Sequence, residues 1–144
     1  MATFVDTNVL LYAISTAEEE AGKRAIARRV LLRTDLAFSV QVLQEFYVQA
    51  TRSSAGRVAP EIAVRLIRSW NRFPVQPITV ELMFAAFATH QRFGISYWDA
   101  AIIEAARSLG CSELLTEDLQ DEQDFGGIFA VNPFRDGAKE RRTG

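Results

Sequence analysis

Five short β-prone runs interleaved with helical sequence constrain this chain more than any other feature. The runs are Thr3–Val5, Ala37–Val40, Val75–Ile78, Glu113–Leu115 and Ile128–Val131. Between them the apolar spacing predicts helices over Asn8–Ile14, Glu18–Arg33, Gln41–Arg52, Glu61–Phe73, Thr79–Phe93 and Tyr97–Leu109. The ends carry stop and start signals. Thr7 or Asn8 can cap the first helix, Pro60 opens the fourth, and Gly94 and Gly110 close the last two. Strands alternating with helices predict a parallel sheet flanked by helices on both faces. Pro77 puts the third strand at an edge or an end. With 144 residues the chain reads as one domain over 1–134, followed by a polar tail over 135–144.

The scarce residues exclude much chemistry. One His (His90) and one Cys (Cys111) cannot supply a zinc finger, a disulfide or a two-histidine ribonuclease. His90 reads as a surface or half-buried helical residue, and Cys111 as buried filler. There is no apolar run of membrane-spanning length and no secretory leader, so the expected compartment is the cytoplasm. A net charge of −2 at first discourages nucleic acid as a partner. An enzyme with this composition must work through carboxylates, hydroxyls or a metal.

Four carboxylates fall where a parallel sheet collects ligands, beyond the carboxyl ends of its strands. Asp6 follows the first strand and Asp118 follows the fourth by a few residues. Glu45 lies one turn into the helix after the second strand, and Asp99 lies in the first turn of its helix. Each has a plain structural reading beside the functional one. Asp6 could be a turn or cap residue, and Asp99 the acid of a capping box opened by Ser96. Glu45 shares a helical face with Gln41, Gln49 and Arg52 that reads as a solvated stripe. Asp118 sits in an acidic run from Glu113 to Asp124. Carboxylates converging without Lys or His would repel one another, and a divalent cation is the usual resolution; an all-oxygen set selects Mg²⁺ or Mn²⁺. The aromatic residues Trp70, Phe73, Phe84, Phe87, Phe93 and Trp98 fall on apolar helical faces and are expected in the core.

In this order and context the acids resemble those of the PIN-domain family, and within it the VapC-type toxins of bacterial toxin–antitoxin pairs. The segments that carry the resemblance are Phe4-Val5-Asp6-Thr7-Asn8-Val9-Leu10, Leu43-Gln44-Glu45-Phe46, Ile95-Ser96-Tyr97-Trp98-Asp99-Ala100-Ala101-Ile102 and Leu114-Leu115-Thr116-Glu117-Asp118-Leu119-Gln120-Asp121. The ending Val131-Asn132-Pro133-Phe134 is also similar. The resemblance implies a three-layer α/β/α fold around a central five-stranded parallel sheet. It also implies a Mg²⁺- or Mn²⁺-dependent endoribonuclease that cleaves RNA with metal-activated water, leaving a 5′-phosphate. Asp6, Glu45, Asp99 and Asp118 would be its catalytic and metal-holding acids. Thr7, Asn8, Ser96 and Thr116 would orient them from a second layer. A cognate antitoxin and a homodimer are implied by the resemblance alone. One departure stands out. Similar sequences often have glycine in the turn after the fourth acid, where this chain has Asp121-Glu122-Gln123. Asp121 thereby becomes a candidate accessory ligand.

Fourteen of the 16 basic residues are arginine, the better partner for phosphate. Arg52, Arg57, Arg65, Arg68 and Arg72 cluster around one loop and helix as candidates for RNA binding, or for docking an acidic partner segment. Without the four site acids the chain has 14 acidic against 16 basic residues, so the objection from net charge disappears. Phosphatases and receiver domains that use an aspartate after the first strand also need a later lysine, and neither Lys23 nor Lys139 stands in that place. The remaining alternative is a non-catalytic PIN-like scaffold that binds RNA or protein. Such scaffolds usually lose one or more acids, and all four are present here.

Overall fold

The computed structural model describes residues 2–52 and 58–135. Its strands are β1 (Thr3–Val5), β2 (Leu36–Ser39), β3 (Val75–Gln76), β4 (Glu113–Leu115) and β5 (Phe129–Val131). Its helices are α1 (Thr7–Ile14), α2 (Ala21–Val30), α3 (Val40–Ala50), α4 (Pro60–Trp70), α5 (Val80–Phe93) and α6 (Tyr97–Ser108). All strand pairs are parallel, in the order β3-β2-β1-β4-β5. The chain therefore starts in the middle of the sheet, winds outward through β2 and β3, then returns to β4 on the other side of β1. Helices α1 to α4 pack in series on one another, and α5 and α6 form a second group. The result is the expected three-layer α/β/α fold.

The strands are buried because both faces are covered. Phe4, Val5, Leu36, Ala37, Phe38, Leu114, Leu115 and Ala130 are almost wholly enclosed. Trp70 closes this core from α4, with its ring stacked on Phe38 at 6.1 Å and edge-on to Phe46 at 4.9 Å. Helix α6 is buried from Ala100 to Ala106, and alanine at four of those seven positions lets it lie close to the sheet. The buried Glu104 within it accepts hydrogen bonds from Thr89 (2.7 Å) and Arg107 (3.0 Å). Among the described residues no helix is long and apolar enough to cross a membrane.

Several details differ from the sequence reading. The helix expected over Glu18–Arg33 is divided, with a 3₁₀ turn at Glu18–Glu20 and α2 beyond it. Strand β2 ends at Ser39 instead of Val40, because the Ser39 hydroxyl caps α3 by accepting from the Val42 amide at 3.2 Å. Strand β3 has only two residues and lies at the sheet edge, as Pro77 requires. The aromatic expectation is corrected: Trp70 is in the core, but Trp98 (64%), Phe84 (62%) and Phe87 (42%) are exposed. The turn after Asp118 keeps a glycine-like path without glycine, since Glu122 itself adopts φ +67°. Apart from Arg135, the expected polar tail lies outside the described residues, as does Arg57.

Candidate active site

The strand order determines where the acids meet. Between β1 and β4 the winding direction reverses, and a crevice opens there at the carboxyl ends. Val5 is paired with Leu115, so the next residues, Asp6 and Thr116, leave the sheet side by side. The Thr116 hydroxyl donates to Asp6 Oδ2 at 2.7 Å. Asp6 is also the N-cap of α1, with Oδ1 accepting from the Thr7 amide at 2.7 Å. The cap reading and the site reading of Asp6 are thus compatible, since one carboxylate stands at both places.

Three polar side chains tie the acids together. Thr7 Oγ1 donates to Glu45 Oε1 at 3.0 Å. Asn8 Nδ2 donates to Thr116 Oγ1 and to Asp118 Oδ2, each at 3.1 Å. Thr116 Oγ1 accepts the Asp118 amide at 3.0 Å. On the far side the Ser96 hydroxyl caps α6 by accepting the Asp99 amide at 3.0 Å. Asp99 lines the same crevice, with the Ser96 hydroxyl also beside its carboxylate.

Asp6, Glu45, Asp99 and Asp118 all line one cavity of about 270 Å³, together with Thr7, Asn8, Leu11, Gln41, Gln49, Trp98 and Ile102. Among the described residues no Lys, Arg or His lines it. Burial pushes the Asp6 carboxyl up to about 7, and the neighbouring charges of Asp118 and Glu45 add to the rise against the pull of the Thr116 and Thr7 hydrogen bonds. Burial, and then Asp118, also raise Asp99. Asn8 Oδ1 is buried without a hydrogen-bond partner among the described residues. Unneutralised acids and an unsatisfied oxygen are what a hard divalent cation and its water would relieve, so the donor set fits such an ion in kind. Among the described residues no three carboxylate, imidazole or thiol groups gather closely enough to enclose an ion. The acids ring the cavity wall.

The other candidates lie elsewhere. Asp121 accepts from the Asn132 amide at 2.7 Å and from Arg135 at 2.6 Å, and it does not line the cavity. Arg52, Arg65, Arg68 and Arg72 are exposed and line none of it. Arg65 and Arg68 border a shallow surface hollow on α4, and Arg72 lies over the Phe73 ring at 4.5 Å. Gln41, Gln49 and Trp98 were not expected at the site. The stripe of Gln41, Glu45 and Gln49 on α3 looks solvated in sequence, yet it forms one wall of the cavity. Its one-residue-per-turn spacing was the available signal.

The family model for the PIN domain matches residues 3–122. No curated protein matches the chain. Several solved structures do. A toxin–antitoxin complex from Klebsiella pneumoniae has a chain 22% identical, with a TM-score of 0.66 over 92% of this chain and 98% of that one. VapC20 of Mycobacterium tuberculosis, a toxin that cleaves the sarcin–ricin loop, is 22% identical, with a TM-score of 0.65 over 81% of this chain and 92% of its own. DNA-bound VapBC from Salmonella typhimurium is 21% identical, with a TM-score of 0.63 over 92% and 99%. At these identities the likeness is one of fold.

Proposed function

This chain belongs to the PIN-domain family, and from that premise we propose that it is a Mg²⁺- or Mn²⁺-dependent endoribonuclease, the toxin of a toxin–antitoxin pair. The observation that carries the reading is the ring of four carboxylates around one cavity that, among the described residues, no cationic side chain lines. Asp6 and Asp99 are the principal metal ligands in this reading, and Asp118 completes the set. A divalent ion held there would lower the pKa of water and neutralise phosphate charge. Glu45, fixed through one oxygen by Thr7, keeps the other to orient the attacking water. Thr7, Asn8 and Thr116 hold the acids in place so that little reorganisation is needed when RNA arrives.

Cleavage of the sarcin–ricin loop by one similar protein and the toxin–antitoxin complex formed by another support an RNA substrate and an antitoxin partner for this chain. The exposed arginines Arg52, Arg65, Arg68 and Arg72 are the candidate contacts for either, with Arg57 beside them in sequence. A homodimer has a face to use. Val80 (62%), Phe84 (62%) and Phe87 (42%) form an exposed stripe one turn apart on α5, continued by Trp98.

The test is RNA cleavage by purified wild type and by the Asp6→Asn/Asp99→Asn double variant, with Mn²⁺ and with chelator. The double variant should lose at least about a hundredfold in rate, and chelator should abolish wild-type cleavage. Chelator-insensitive cleavage surviving in the double variant would overturn the metal mechanism. A wild type that binds RNA in Mn²⁺ without cutting it would favour the scaffold. Growth arrest on expression, relieved by the same substitutions, supports the toxin assignment.

A further inference from the structure

Asp118 is the one acid of the four that neither lies in a helix nor caps one. It is exposed and lies between β4 and β5 in a connection without helix or strand. Thr116 and Asn8 hold it from the crevice side. The preceding residue is held from the other side. Glu117 turns toward α1 and α2, where the Tyr12 hydroxyl donates to its Oε1 and Lys23 Nζ donates to its Oε2 at 2.9 Å. Lys23 Nζ also donates to the Tyr12 hydroxyl at 3.1 Å and lies 4.7 Å above the Tyr12 ring. Phe134, beyond β5, closes the cluster edge-on to Tyr12 at 4.9 Å. Glu117 lines a second polar cavity of about 220 Å³ that shares Asn8, Leu11 and Gln49 with the acidic one. Glu117 and Asp118 therefore stand on opposite sides of the wall between the two cavities.

We propose that Lys23 is a positioning residue for Asp118: by bridging Glu117 to Tyr12 it clamps the β4–β5 connection so that the next carboxylate faces the acidic cavity. The metal-binding part of this proposal rests on the nuclease reading above. Stability alone does not explain the arrangement. The bridge is partly exposed, with side-chain exposures of 42% for Lys23 and 22% for Glu117, and such pairs contribute little to folding. Lys23 is also the only lysine among the described residues, and it contacts the residue adjoining a candidate ligand.

Charge and position make opposite statements about Lys23→Met. Removing a cation beside an anionic site tightens Mn²⁺ binding by electrostatics alone. Loosening the clamp weakens it, by about tenfold on the scale of outer-layer partners. The experiment is a Mn²⁺ titration of the full-length metal-free protein followed by electron paramagnetic resonance, with hydrogen exchange at the amides of Glu117–Leu119 as a metal-independent readout. Lys23→Met and Glu117→Gln should both weaken Mn²⁺ and speed exchange there, with only a small change in Tm. Lys23→Arg should restore both readouts. Unchanged or tighter Mn²⁺ binding in Lys23→Met, or unchanged exchange, overturns the proposal. A wild type that holds no Mn²⁺ overturns the nuclease reading instead, and the exchange result then decides the clamp alone.

Discussion

Asp6 carries two demands that conflict in the absence of a metal. It must cap α1 from a buried position, and it must share a crevice with other acids. Its carboxyl is raised from 3.8 to about 7 mainly by burial. Between those values the folded chain keeps a proton that the unfolded chain has lost, so this group's contribution to stability falls as pH rises. In chelator, the Asp6 contribution should therefore fall from about pH 4 to about pH 7, read as the difference between wild type and Asp6→Asn, opposite in sign to ordinary acid unfolding. Asp6→Asn should flatten that slope and stabilise the metal-free protein by about 2 kcal/mol at neutral pH, part of the full linkage value being lost to a poorer fit against Thr116. Urea unfolding at several pH values checks both. Mn²⁺ affinity should rise with pH up to about 7 as the ion displaces the same proton. That an acid stands at this place is legible in the sequence, since it directly follows the first strand. Its perturbed acidity is not, because burial depends on what α3 and β4 place over it.

Short elements at this rim are held by single contacts, and each can be tested by one substitution. Ser96 caps α6 and so fixes the turn that carries Asp99. Ser96→Ala should cost about 1 kcal/mol and should reduce cleavage beyond what that loss explains, measured as kcat well below the Tm of the variant. Glu122 holds a left-handed backbone conformation that glycine would adopt without steric cost. Glu122→Gly relieves that backbone cost while its amide keeps its bond to the Ala130 carbonyl. The number, order and kind of elements were readable from apolar spacing and from Pro60, Gly94 and Gly110. The break after Glu20 was not. Three glutamates followed by a basic body suit a helix dipole equally well whether the first turn is 3₁₀ or α. Nor does sequence show that Glu104 is buried, because its partner Thr89 is 15 residues away on another helix.

At the scale of the whole molecule, the core is where apolar patterning places it, but patterning cannot tell a face that meets the sheet from one that meets another chain. Phe84, Phe87 and Trp98 have the spacing of core residues and are exposed. If the stripe on α5 joins two copies, Phe84→Glu should yield monomers in analytical ultracentrifugation with little change in Tm, since the side chain buries little in the single chain. An unchanged sedimentation coefficient would show that the stripe does not hold copies together. The contrast between the two tryptophans has a practical consequence. Trp70 is 6% exposed among Phe38 and Phe46, whereas Trp98 is 64% exposed on the rim of the acidic cavity. The chain thus contains two tryptophans in contrasting environments, which an iodide quencher can tell apart. Blue-shifted emission from Trp70 follows the integrity of the core. The iodide-quenchable part of the emission, from Trp98, follows whatever enters the crevice, so quenching reads occupancy while the unquenched part reads unfolding.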